Sequence, residues 1–194
     1  KGSMMSHRNI IVTNEIQNEA NPCTHEDEIL SFLPLCHIAE RNITAFNHLR
    51  VGYIVNFAEG PDTVPENIRE VSPSVFFAVP RIWEKFYSTL VLTMKDSTWF
   101  EKAAYHRAIQ IGTKRASLRL AHKPVPASLQ MLYTIADWTV LRNLKKSIGL
   151  NKSRQLTSGA APISSDLLLF YNALGLPIRE VYGQTECCGP GTIH

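Results

Sequence analysis

Pro177-Ile178-Arg179-Glu180-Val181-Tyr182, running into Gly183-Gln184-Thr185-Glu186, is the stretch on which the fold turns. Its first half reads as a short buried strand bounded by Gly175 and Gly183. Gly183 permits a sharp turn, so the Thr185 hydroxyl and the Glu186 carboxylate are presented together beyond a strand's carboxyl end. Ligands bind there in open α/β sheets. A hydroxyl suits a phosphate oxygen, and a carboxylate suits a hard cation such as Mg2+ that accompanies phosphates. The plainer alternative is that Thr185 and Glu186 cap the next element.

Upstream, the chain alternates. Ser6 is an N-cap for a helix to Ala20, with a partial apolar stripe at Ile10, Ile11 and Ile16 and a stop at Asn21-Pro22. Residues 28–35 read as a strand, Cys36-His37-Ile38 opens a helix to about Leu49, and residues 52–57 form the next strand. Thr63 with Glu66 reads as a capping box opening a short helix that ends near Ser72-Pro73. Residues 74–79 give a third strand, and Pro80 opens another helix. This order predicts an α/β fold, a mostly parallel sheet with flanking helices.

Between about residues 80 and 147 no strand pattern occurs. The segment reads as three inserted helices, broken near Asp96-Ser97 and at Lys123-Pro124-Val125-Pro126. The middle helix carries Arg107, Lys114, Arg115 and Arg119 on what reads as its outer face. Such a face is ordinarily just solvated; the alternative is attraction of an anionic partner or a membrane surface. Alternation resumes with a strand at residues 154–157 and a loop at Ser158-Gly159-Ala160-Ala161-Pro162. A helix capped by Ser164 or Ser165 follows, reaching about Leu174.

Composition narrows the classes. The 194 residues are 44% hydrophobic and 19% charged, as expected of a globular protein. A net charge of +3 with no basic run argues against a nucleic-acid partner. Apolar windows are too short for a membrane span, and no secretory signal is evident, which reads as a cytoplasmic protein. Cys23, Cys36, Cys187 and Cys188 lack metal-site spacing and read as reduced thiols.

Three loops that each follow a strand converge at one sheet edge in this reading. They are Pro34-Leu35-Cys36-His37, the Gly159-Ala160-Ala161 loop, and Tyr182 to Glu186. Small residues in the second admit a flat ring close to the backbone, and Tyr182 offers a surface on which to stack it. Each has a plain alternative: His37 as a helix cap or core histidine, and residues 158–162 as an ordinary strand-to-helix turn.

At this point several motifs carry a resemblance. Lys1-Gly2 followed by Met5-Ser6-His7-Arg8-Asn9 resembles the end of the phosphate loop of the adenylate-forming enzyme superfamily. Leu33-Pro34-Leu35-Cys36-His37-Ile38-Ala39-Glu40-Arg41 is similar to that superfamily's next motif. Val79-Pro80-Arg81-Ile82-Trp83-Glu84-Lys85 resembles a signature of its long-chain fatty-acyl-CoA synthetases. Residues 158–162 and Tyr182 to Glu186 are similar to its adenine-side loop and Tyr-Gly-x-Thr-Glu motif. The matches keep the superfamily's order along essentially the whole chain.

The resemblance implies a chemistry: ATP and a fatty acid form an acyl-adenylate and pyrophosphate, and the thiol of coenzyme A then displaces AMP. It implies that Thr185 bonds phosphate, that Glu186 helps hold Mg2+, and that His37 lies beside the reacting carboxylate and acyl chain. Tyr182, Gly183 and the Gly159-Ala160-Ala161 loop would pack on adenine, and Lys1 would close the phosphate loop. It also implies an internal piece of the large N-terminal domain, without the C-terminal domain and inactive alone, with peripheral membrane contact as an open expectation. Two other classes stay open: a non-catalytic nucleotide- or partner-binding module, and an unrelated α/β domain.

Overall fold

The structure, a computed structural model, describes residues 2–194; Lys1 and its expected phosphate-loop role lie outside the described residues. Among them, strands β1 (Glu28–Ser31) and β2 (Ile54–Phe57) form a parallel pair. Strands β3 (Val75–Ala78), β4 (Gln155–Gly159), β5 (Ile178–Gln184) and β6 (Gly189–Ile193) form a second sheet in that order. Its first three strands are parallel, and β6 closes antiparallel on β5. The fold is the expected α/β arrangement, with one difference: the sheet is split. β1 meets β3 only at its start, where Ser74 N–H donates to Glu28 O (3.0 Å) and Glu28 N–H to Ser74 Oγ (2.9 Å). Past that point Phe32 stacks on Phe76, ring centroids 5.6 Å apart.

Helices α1 (His7–Ala20), α2 (residues 38–51), α3 (Val64–Val71), α4 (Pro80–Lys95), α5 (Trp99–Leu120), α6 (residues 127–147) and α7 (Ser165–Leu174) flank the sheets. The strand-free stretch resolves into α4, α5 and α6, with breaks where the sequence places them. Ser6 and Ser164 cap α1 and α7 as expected.

Strand parity decides what faces what, since alternate residues point to opposite sides of a sheet. Phe76, Leu156 and Ile178 are register partners on one face. That face is buried under α4, α6 and α7, where Trp83, Leu141, Tyr171 and Leu174 are fully enclosed. The Tyr171 hydroxyl donates to the Trp83 carbonyl oxygen at 2.7 Å. Phe77, Thr157 and Arg179 share the opposite face, covered by α1 and α2. Between these layers lies a cavity.

Several local expectations need correction. β1 stops at Ser31 instead of running to Leu35, because Pro34 and the following residues turn to start α2. β5 is buried only at Ile178 and becomes exposed toward Gln184. Ser158 and Gly159 belong to β4, so the loop begins at Ala160, which holds a left-handed φ of 67°. Thr63 is no extended cap: its φ, ψ are −89°, −2°, and its hydroxyl donates to Asn67 Oδ1 at 2.8 Å. Capping boxes form instead at Ser6 with Asn9 and at Thr98 with Glu101. The α1 stripe faces outward, with Ile11 and Ile16 exposed and Asn14 buried, because α1 lies over a polar layer of α2. Arg115 is not on a free outer face. Its guanidinium lies 4.1 Å over the Tyr133 ring and donates to Gln130 Oε1, while Arg107, Lys114 and Arg119 are exposed.

Candidate active site

The cavity has a volume of about 350 Å³ and opens at the carboxyl ends of β4 and β5. His37, Ala160, Thr185 and Glu186 all line it, together with Gly159 and Gly183. Residues from three separate loops therefore meet on one rim, as the sequence predicts. Tyr182 and Ala161 are not on its wall. Tyr182 has the parity of Glu180, facing away from the cavity, and is 68% exposed. The ring-stacking surface and the His37 pocket thus lie on opposite sides of the end of β5.

His37 is a cap: its Nδ1 accepts the Ala39 N–H at 3.2 Å and opens α2. His37 thus caps α2 and also lines the cavity. With Nδ1 an acceptor, a neutral ring carries its proton on Nε2, leaving that nitrogen as the donor. His37 is exposed at the rim.

Thr185 and Glu186 sit in a single 3-10 turn, Thr185–Cys187, between β5 and β6. Neither side chain caps that turn, and neither has a protein hydrogen bond or ion pair among the described residues. The capping alternative is overturned by this geometry. Both side chains are exposed at the cavity mouth. Gly183 does not make the expected turn. It lies in the β5–β6 ladder beside a register shift, and a Cβ there would sit 2.3 Å from the Gly189 carbonyl oxygen. The need for glycine is close backbone approach, and the turn falls at Cys188 and Gly189, both at positive φ.

Other wall residues escaped the sequence reading. Gln17 and Asn21 reach in from α1, Asn42 and Ile43 from α2, and Phe77 from β3. The residues of β6, Gly189, Pro190 and Ile193, also contribute. A polar residue inside a helical pattern, such as Asn14 or Gln17, is the signal that could have marked α1 as lying over a cavity. Between residues 41 and 47, α2 winds as a π-helix, a feature frequent at functional sites.

Among the described residues, Glu186 is the only carboxylate on the cavity wall, and no group of three metal-binding side chains occurs. Mg2+ is commonly held by one or two carboxylates plus substrate phosphates and water. The unpaired Glu186 fits a metal that arrives with a polyphosphate, and does not fit one held by protein alone. No helix among the described residues is long and apolar enough to cross a membrane.

A family profile described as AMP-binding enzyme matches residues 1–194. The rat long-chain-fatty-acid–CoA ligase ACSBG2 is 34% identical over 201 residues, covering 100% of this chain and 30% of that protein. The chain thus spans about a third or less of the curated relatives it matches. Among solved structures, a long-chain-fatty-acid–CoA ligase (FadD1) from Archaeoglobus fulgidus superposes with a TM-score of 0.60 at 18% identity, covering 100% of this chain and 31% of that one. A malonyl-CoA ligase ternary product complex with methylmalonyl-CoA and AMP bound gives 0.62 at 19%, covering 100% and 31%. The chain therefore shares its fold with these ligase structures, and it belongs to the AMP-binding enzyme family.

Proposed function

We propose that this chain forms the acid- and nucleotide-binding rim of a long-chain fatty acid–CoA ligase, within the N-terminal AMP-binding domain, with residues 80–147 as a helical insertion. The observation that carries the reading is the meeting of His37, Ala160, Thr185 and Glu186 on one cavity. ATP, a fatty acid and coenzyme A are the substrates in this reading. The similarity to long-chain-fatty-acid–CoA ligases and to an AMP-bound malonyl-CoA ligase supports it.

The two sides of the β5 terminus divide the work. Adenine stacks on the exposed Tyr182 face, with Gly183 and the Gly159-Ala160-Ala161 backbone allowing close approach. The acid occupies the cavity on the His37 side, its carboxylate near His37 Nε2. Thr185 stands between them and donates its hydroxyl to a phosphate oxygen. Glu186, together with the substrate phosphates, would hold Mg2+, which would supply positive charge against the polyanion when bound. A carboxylate oxygen bonds to the α-phosphorus, the bond to pyrophosphate breaks, and the thiol of coenzyme A later displaces AMP at the acyl carbon. Holding acid and phosphate in line supplies much of the rate. A cytoplasmic enzyme with peripheral membrane contact suits insoluble acids and the exposed cations of α5.

The test is pyrophosphate release by the protein carrying this chain, given ATP, Mg2+ and fatty acids of graded length. Acid-dependent release that rises with chain length is expected. Nucleotide binding with no acid-dependent release would replace this reading with a non-catalytic nucleotide-binding module.

A further inference from the structure

The turn carrying Thr185 and Glu186 is exposed, and these two side chains bond to no other group among the described residues. Something else must fix its position. Two residues past Glu186, the Cys188 carbonyl oxygen accepts a hydrogen bond of 2.5 Å from Nδ2 of Asn42. Asn42 lies 146 positions away in sequence, in the π-wound part of α2, and is 1% exposed. α2 is the helix that His37 opens, and Asn42 lines the same cavity.

The fit between amide and turn is tight. Gly189, at φ 129°, follows Cys188, and a Cβ on it would lie 2.5 Å from Asn42 Nδ2. The stretch is held in place as well: the Tyr53 hydroxyl donates to the Ile43 carbonyl oxygen, and the Thr44 hydroxyl donates to Glu40 at 2.7 Å. Asn42 Oδ1 is buried with no protein partner, a cost tolerated where the other end of the amide is needed.

We propose that Asn42 is a positioning residue: by holding the Cys188 carbonyl it sets the Thr185–Cys187 turn relative to His37, so that phosphate and acid ends of the site keep a fixed spacing. This rests on the ligase reading above. Asn42→Asp keeps the shape but replaces the donor with an oxygen facing the Cys188 carbonyl. It is expected to lower kcat for pyrophosphate release at least about tenfold, with the KM for the fatty acid within about twofold. Tyr171→Phe breaks a buried bond in the layer on the other side of the sheet, away from α2 and the turn, and should leave kcat within about twofold.

Equal losses in the two variants, or an Asn42→Asp enzyme with wild-type kcat, overturn the proposal. If Asn42→Asp fails to fold, Gly189→Ala displaces the same amide and must give the same kcat loss with unchanged KM; any other pattern overturns it. A wild-type protein with no acid-dependent release overturns the ligase reading and this one together, whereas an active wild type with indifferent variants overturns this one alone.

Discussion

Arg154 and Asp27, 127 positions apart, close on each other at the amino end of the sheet, with Arg154 Nε donating to Asp27 Oδ1 at 2.8 Å. Asp27 also accepts from the Ser74 hydroxyl (2.6 Å) and the Thr24 N–H (2.7 Å). The cluster ties the starts of β1, β3 and β4 together, at the end of the sheet away from the cavity.

Acid stability follows from that cluster. Burial alone would raise the Asp27 carboxyl, but the bonds from Arg154, Ser74 and Thr24 and the Arg154 charge hold it at about 2, against an ordinary 3.8. A carboxyl lowered in the folded state stabilises fully above its unfolded pKa and loses that contribution as pH falls through the folded one. Denaturant unfolding should therefore show stability falling between about pH 4 and pH 2. Asn at position 27 should cost about 1–3 kcal/mol at neutral pH and flatten the acid limb, the two proteins converging near pH 2.

The core bond from Tyr171 to the Trp83 carbonyl makes a second prediction. Tyr171→Phe removes that bond while the Trp83 carbonyl keeps its intrahelical partner, at a cost of about 0.5–1.5 kcal/mol. Trp83→Ala, which opens a cavity against Phe76, Phe86 and Tyr171, should cost about 3–5 kcal/mol. Urea midpoints at constant m-value would check both.

Glu186 and Thr185 should behave in the opposite way. Both are exposed and unbonded, so Glu186→Gln and Thr185→Ala should shift stability by less than about 0.5 kcal/mol. In the ligase reading each lowers acid-dependent pyrophosphate release by about 100-fold, and Glu186→Gln raises the Mg2+ concentration needed for half-maximal rate. Loss of stability in parallel with activity would return these residues to a structural role.

The thiols separate by burial. Cys36 and Cys187 are exposed, whereas Cys188 is buried and Cys23 half-buried. Burial pushes the Cys23 thiol up to about 11, reinforced by the Asp27 charge and opposed by Arg154. The thiolate is the reactive form. A chromogenic disulfide reagent at pH 8 should therefore label Cys36 and Cys187 rapidly, and Cys23 and Cys188 only on unfolding.

The sequence by itself determined the α/β class, the three-helix stretch after Pro80, the Ser6 and Ser164 caps, and the loops bearing His37, Ala160, Thr185 and Glu186. These follow from local signals: periodicity, proline, hydroxyl caps and motif order, all read within a few residues. Only tertiary structure decided the rest. β1 and β3 are joined at their starts, near the Asp27–Arg154 contact, and pair no further, which leaves β1–β2 split from β3–β6. The outward turn of Ile11 and Ile16 depends on what α1 covers. The glycine at 183 is required by β6, a strand that no apolar run announces. That Tyr182 and His37 lie on opposite sides of β5, and that Asn42 holds Cys188, are facts of strand parity and of contacts across more than a hundred residues. Local propensity cannot encode them, because the energy of each arises only when distant segments pack.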